Sequence, residues 1–413
     1  LYYCIQTGIV DDAAQPDGGT MKFGYFENLH DVTQQRSYLE MIDELREIAQ
    51  LCDSGGFDTF WLPEHHFSIW GRELLPNPLM MLADLAPRTK NIRLGLAAAI
   101  ITHWHPMRLA EDLALLDNLT GGRLEIGVGR GNYGLEATNL NAQADPNNQE
   151  QNFKVFVETL EIVKKALSQE RFSHRGEFYA FPAPGFRADR AHSVNDPAYI
   201  DKESGELIKL TTYPRPHQKP YPPLWQMVDS DRSIEHAAAQ DCGIIMWRPT
   251  IASLKQRLRL YRDTAQRTRG IDLPVGARTA IMRDTFVAES EAEARRIAES
   301  SMMASLNFSN WRGPKIFLNP GEELTPEQEA QYKKKLTYDF VGARSVFFGS
   351  PDHVLDKLEE LDSETGVEQV VLKCSWPGMP HEHTMRSLRL LTTEVLPRFR
   401  ARRVGRKAAA AAE

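Results

Sequence analysis

Residues 55–67 read Gly55-Gly56-Phe57-Asp58-Thr59-Phe60-Trp61-Leu62-Pro63-Glu64-His65-His66-Phe67, and three signals stand in a row within them. The glycine pair is a helix stop, because glycine takes the left-handed conformation after a helix without a Cβ penalty. Thr59–Leu62 is a short, aromatic-rich run of strand type. Pro63 ends it, and a carboxylate and two imidazoles follow. Helix stop, buried strand and polar strand end together form the repeating unit of parallel α/β folds.

The unit recurs in both directions. Upstream, Lys22–Phe26 reads as strand one, and Tyr38–Asp53 as a helix with apolar residues at Leu39, Ile42, Leu45, Ile48, Ala49 and Cys52. Downstream come a helix at Pro78–Ala86 and a nearly all-apolar strand three at Ile92–Ile101, the pattern of a strand buried on both faces. A helix at Met107–Leu119, strand four at Arg123–Val128, a long helix at Gln149–Leu167 and a hairpin at Arg171–Phe181 continue the series. Strand five (Pro223–Val228), strand six (Gly243–Trp247) and strand seven (Arg278–Val287) alternate with helices at Ser233–Gln240, Leu254–Arg267 and Glu291–Ala304. Glu368–Cys374 is strand eight and Thr384–Arg398 the closing helix. Eight strands alternating with helices, with no Gly-x-Gly-x-x-Gly turn after the first, predict an α/β fold of the closed (β/α)8 TIM barrel type.

Residues 1–20 read as an N-terminal extension, 21–400 as the barrel, and 401–413 as a tail that is in part vector-derived. Two stretches interrupt the rhythm and are expected to be insertions: 184–222, rich in proline and charge, and 305–350, which combines aromatics, Gly-Pro turns and a Lys-rich helix. Long irregular segments of compact domains are commonly lids, and the second is expected to be a mobile cover over the barrel mouth. Its aromatics Phe308, Trp311, Phe317, Tyr338 and Phe340 either line an apolar pocket or anchor the loop.

The chain has 413 residues, 42% hydrophobic and 25% charged, with a formal net charge of −7. That balance supports a large core and argues against a nucleic-acid partner. No apolar run approaches the ~18 residues of a membrane span. Cys4, Cys52, Cys242 and Cys374 are scattered, which suits a reducing cytoplasm and neither a disulfide framework nor a thiolate metal site.

In such barrels chemistry sits at the C-terminal strand ends. Strand four ends in Gly129-Arg130-Gly131-Asn132-Tyr133, strand five in Asp229-Ser230-Asp231-Arg232-Ser233, and strand six in Trp247. Glycines allow close backbone approach to a phosphate, Arg130 offers a permanently charged fork, and Ser230 and Ser233 stand where a helix begins. Singly these are a tight turn and a helix cap; together they read as an anion site. His103 and His105 after strand three could belong to a metal site, but strands six and eight end in Trp247 and Cys374 and supply no further histidine, so no metal is expected. His105, before Pro106, reads as a helix cap. Of Glu64, His65 and His66, alternation at a strand end directs one imidazole into the cavity and the other to its support, and an imidazole titrating near neutrality suits proton traffic.

Gly56 through Phe67 resembles the corresponding segment of the bacterial luciferase α subunit, as does His105-Pro106-x-Arg108-x-x-Glu111-Asp112-x-x-Leu115-Leu116-Asp117 with the following Gly122-Arg123 and Gly131-x-Tyr133. Met21–Gly24 and the stretch from Val341-Gly342 to Cys374 are also similar to the luciferase-like monooxygenases, and the likeness covers roughly 21–400. The resemblance implies an enzyme that takes reduced FMN from a separate flavin reductase and reacts it with dioxygen. A flavin hydroperoxide then oxidises an aldehyde, ketone or aromatic compound. It implies His65 as the catalytic histidine, with Glu64 and His66 beside it. Arg130, Ser230, Ser233 and Asp229 (in place of a glutamate) would hold the phosphate. Tyr133 and Trp247 would lie at the cofactor, and an Ala97-Ala98 peptide, a candidate for a strained cis bond, under its ring. Gly129 stands where luciferase has a reactive cysteine, and Glu136 where it has an aspartate. Two other readings remain open: a deazaflavin-dependent oxidoreductase on the same barrel, and a non-catalytic flavin-binding protein. A homodimer is expected through the apolar helix faces Leu79–Leu85 and Leu109–Leu116.

Overall fold

A computed structural model describes residues 21–187 and 196–410. The N-terminal extension with Cys4, the segment 188–195 within the first insertion, the last three residues and the Trp311 side chain lie outside the described residues. The strands are β1 (Lys22–Phe26), β2 (Thr59–Leu62), β3 (Arg93–Leu96), β4 (Ala99–Ile100), β5 (Leu124–Gly129), β6 (His174–Arg175), β7 (Ala180–Phe181), β8 (Leu224–Val228), β9 (Gly243–Trp247), β10 (Thr279–Val287), β11 (Val346–Gly349) and β12 (Gln369–Lys373). β1, β2, β3, β5, β8, β9, β10 and β12 pair in that order, all parallel, and β12 pairs back onto β1. The ring is the eight-stranded TIM-type barrel.

Why the ring closes is visible in its interior. Trp61 of β2 and Trp225 of β8 point inward and meet edge to face, 6.0 Å between centroids. Such bulk fits because neighbouring strands carry glycine at the same level. A β-carbon on Gly24 of β1 or Gly95 of β3 would stand 2.8 Å or 2.3 Å from the Trp61 indole, and one on Gly243 of β9 would stand 2.6 Å from Trp225. Met282, Ile245, Ala280 and Val371 fill the rest. Large side chains opposite small ones are how a barrel core reaches native density.

Helix boundaries follow local chemistry. Ser37 and Glu40 form a reciprocal capping box at the start of Tyr38–Ser54, and the left-handed residue after that helix is Gly56 (φ 82°).

Several expectations need correction. Strand three is not continuous: it breaks at a cis Ala97–Ala98 peptide into β3 and β4, both paired with β5. The 305–350 segment is not simply an insertion, since it holds a helix at Tyr338–Ser345 and the strand β11, which pairs parallel with the upper half of β10. Helices Pro351–Thr365 and Gly134–Leu140, absent from the sequence expectation, are also present. Phe317, Tyr338, Phe340, Phe348 and Trp376 build a second apolar cluster beside the barrel, so Tyr338 and Phe340 are anchors. His105 occupies the N-cap position of Pro106–Leu119, but its ring makes no capping hydrogen bond and packs on Phe181 at 5.5 Å. The far end of the first insertion passes beneath the barrel, where Gln218 bonds both oxygens of Asp117 at 2.7 Å. Leu79, Leu82, Leu85, Leu109, Leu113 and Leu116 pack inward on the barrel, leaving Met80, Leu115 and Leu119 exposed. Among the described residues no helix is long and apolar enough to cross a membrane.

Candidate active site

At the C-terminal rim, β2 runs into Pro63 and Glu64. Glu64 is only 1% exposed. Its carboxylate accepts from Trp104 Nε1 at 3.0 and 2.9 Å and from the Ile100 main-chain N–H at 2.9 Å, and His66 Nε2 lies 2.9 Å away. Glu64 thus ties the end of β2 to the end of β4. His66 turns back onto it, away from the barrel axis.

His65 points the other way. Its Nδ1 lies 3.3 Å from Glu136, whose same oxygen accepts the His66 N–H at 2.8 Å; its Nε2 is 3.9 Å from Glu73, and its ring meets Tyr133 edge-on at 5.4 Å. Burial alone lowers the His65 pKa, but Glu73 and Glu136 outweigh it, so the net shift is upward. Glu136 sits below the ordinary carboxylate range, because His65 and the His66 amide overcome its own burial.

Glu64, His66 and His103 bring ligand-type atoms within 4.8 Å of one another. His103 is separated from His105, and burial takes its pKa down to about 4. Glu64 already satisfies two N–H donors and an imidazole, which leaves it a poor further ligand.

One cavity of about 690 Å³, solvent-open space included, is lined by His65, Ala97, Ala98, Gly129, Arg130, Gly131, Asn132, Asp229, Ser233 and Trp247, with Glu64 at its edge. Two of its lining residues are glycines packed too closely on their neighbours for a side chain. A β-carbon on Gly129 would stand 3.1 Å from Ile100, and one on Gly131 3.1 Å from both Ile100 and His103. Arg130 reaches Asn152 at 3.2 Å and Gln149 at 3.3 Å. Ser233 Oγ donates to the Ser230 carbonyl at 2.7 Å and receives the Ser230 N–H at 3.1 Å. Ser230 itself caps the helix Asp231–Ala239 and does not line the cavity.

A second, larger cavity, about 1000 Å³, shares His65, Asn132 and Trp247 with the first. Tyr133 lines this one. Its far wall is made by residues from Ser305 to Phe317 with Leu336, so the 305–350 segment lines it. No described residue of the 184–222 segment lines either cavity. His30, Arg72, Glu73, Arg248 and Lys373 also face the second cavity, and nothing in the sequence pattern singled them out. Arg248 pairs with buried Asp284, which also accepts from Trp376 Nε1 at 2.9 Å.

Residues 21–369 match the family model described as luciferase-like monooxygenase. The oxygenase component of flavin-dependent trigonelline monooxygenase from Acinetobacter baylyi is 27% identical, over 94% of this chain and 98% of the relative. The 2,5-diketocamphane 1,2-monooxygenase 1 of Pseudomonas putida is 26% identical, over 92% and 99%. Among solved structures, the oxygenating constituent of 3,6-diketocamphane monooxygenase from Pseudomonas putida, in complex with FMN, superposes with a TM-score of 0.71. It is 21% identical and covers 92% of this chain and 98% of that one, a likeness of fold.

Proposed function

The chain belongs to the luciferase-like monooxygenases, and from that premise we propose that it is the oxygenase half of a two-component system. It takes reduced FMN from a separate flavin reductase and uses dioxygen to oxidise a small aldehyde, ketone or aromatic compound. The observation that carries this reading is the shared border of the two cavities. His65, Asn132 and Trp247 stand between a glycine-floored cradle and a larger, aromatic-walled chamber.

The cradle suits FMN. Gly129 and Gly131 let the strand-end loop pack against Ile100 and His103 while its backbone lines the cavity, and Arg130, Ser233 and the start of the helix Asp231–Ala239 are of the donor type that receives a phosphate. The cis Ala97–Ala98 peptide and Trp247 would flank the ring. Bound reduced FMN would supply the electrons that let dioxygen give one oxygen atom to the substrate, the other leaving as water.

The chain's own residues do the rest. Glu136 fixes the His65 ring through Nδ1, and Glu73 favours a proton at Nε2, facing the chamber. The raised pKa favours the proton-donating form of that imidazole. Glu64 and His66 serve as positioning residues.

The three described cysteines are free and buried, which suits the cytoplasm. Exposed Met80, Leu115 and Leu119 offer a homodimer face. Oxygen uptake with FMN and a flavin reductase, compared with spectral change on a reduced deazaflavin, tests the reading. No FMN-dependent uptake over a panel of aldehydes, ketones and aromatics would sink it.

A further inference from the structure

The chamber beyond His65 carries nitrogen donors that oxygen chemistry does not require. Arg72 comes from the loop after β2, His30 from the loop after β1, and Lys373 ends β12. The Arg72 guanidinium lies over the Phe308 ring, 5.2 Å from its centroid, and its Nη1 is buried without a hydrogen-bond partner among the described residues. His30 Nδ1 accepts the Glu73 N–H at 3.4 Å, which places the ring proton on Nε2. That Nε2 is likewise buried and unpartnered among the described residues. Lys373 Nζ stands 5.5 Å over the Phe26 ring.

Arg72 and His30 are only half-buried as residues, but a buried guanidinium nitrogen and a buried imidazole N–H with no acceptor are costly unless something arrives to satisfy them. Arg248, by contrast, is already matched by Asp284. Among the described residues lining this chamber, Glu73 is the sole carboxylate, and it faces His65. Burial pushes the Glu27 pKa up and the Lys373 pKa down, so neither group is fixed in its charged form and Lys373 Nζ enters the chamber as an N–H donor. Burial, with Lys373, Arg72 and His65 nearby, holds His30 neutral, as an N–H donor rather than a cation. The remaining walls, Phe308, Phe317, Leu306, Ile316 and Leu336, are apolar.

We propose that the chamber selects a small, mainly apolar substrate bearing a carboxylate, received by the Arg72 fork with His30 Nε2 and Lys373 beside it. This rests on the monooxygenase reading and names the substrate class of that site. A planar fork and a carboxylate match in two parallel hydrogen bonds. The apolar body then lies toward His65 and Trp247, where the cradle opens.

The test is calorimetric binding of benzoate, 2-naphthoate and cyclohexanecarboxylate against their primary amides, to wild type, Arg72→Met and Arg72→Lys, with FMN titrated into each in parallel. At least one acid is expected to bind roughly tenfold or more tightly than its amide. Arg72→Met should erase that ratio, Arg72→Lys retain part of it, and FMN affinity stay unchanged in both. Amides binding as well as acids, no acid binding at millimolar concentration, or an undiminished preference in Arg72→Met overturns the proposal. An acid preference without FMN binding upholds the anion site and removes the flavin reading instead.

Discussion

One oxygen of Glu136 lies 3.3 Å from His65 Nδ1 and accepts the His66 main-chain N–H at 2.8 Å, so a single carboxylate sets both the ring and the backbone of the strand-end histidine pair. The residue comes from the helix Gly134–Leu140, one turn past the cradle loop. The imidazole that borders both cavities is thereby oriented by the segment that would hold the phosphate.

Glu136→Gln should lower the His65 pKa, because a neutral amide no longer favours the imidazolium. The limb of the rate profile that needs protonated His65 then moves to lower pH, and an NMR titration of the His65 ring moves with it. Stability responds in a defined window. The raised imidazole stabilises below its ordinary value and loses that contribution as pH climbs through the raised one. The lowered carboxylate stabilises above its ordinary value and loses that as pH falls through the lowered one. The wild-type advantage is therefore greatest at roughly pH 4.5 to 6.5. His65→Ala is the harsher change, with an expected rate loss of roughly 10²–10⁴-fold. An unmoved His65 titration in Glu136→Gln contradicts the assignment.

Much of the barrel is legible because its strands are short apolar runs with abrupt ends: Gly55-Gly56 before Thr59 and Pro63 after Leu62 leave little choice. The helix Pro351–Thr365 carries equally plain signals, Ser350 as cap, Pro351 in the first turn and left-handed Gly366 at the end. The aromatic, Gly-Pro-rich run before it masks them, and β11 with it. The break at Ala97–Ala98 interrupts no hydrophobic pattern, so the run reads as one strand. The chamber's nitrogen donors are hidden for a different reason. Arg72, His30 and Lys373 lie in three distant segments, each indistinguishable from a solvated polar side chain until the strand ends converge.

Arg130→Ala should weaken FMN binding without touching binding of riboflavin, which lacks the phosphate. Loss of a charge-assisted contact is worth about 1.5–3 kcal/mol, or roughly 10–100-fold in Kd. Fluorescence titration of both flavins reads the difference directly. Equal losses for the two would mean that Arg130, through Asn152 and Gln149, supports the loop and not the phosphate.

Glu64→Ala should cost stability as well as activity. Removing the carboxylate strands the Trp104 and Ile100 N–H groups in a part-buried setting, and an unsatisfied donor of this kind costs about 1–3 kcal/mol. In urea the midpoint should fall with the slope unchanged, as expected when the same surface is exposed on unfolding. A variant as stable as wild type would show that β2 and β4 are held together elsewhere.

Gly95→Ala tests the barrel interior far from the chemistry. The new methyl would stand 2.3 Å from Trp61 Cε3, well inside contact distance, so one of the two must move. Trp61 has little freedom: its Nε1 donates to Gln369 at 3.0 Å, and Trp225 meets its ring edge to face. Overpacking of this kind costs about 1–3 kcal/mol. Gly134→Ala is the matched control, since its β-carbon meets only Asn147, at 3.7 Å, and its helical position favours alanine. Trp61→Phe withdraws the ring atoms that Gly95→Ala would strike. The double variant should therefore lose less stability than the two single variants together, with a coupling of about 1 kcal/mol or more. Strict additivity would mean that Gly95 is small for a reason other than the indole beside it.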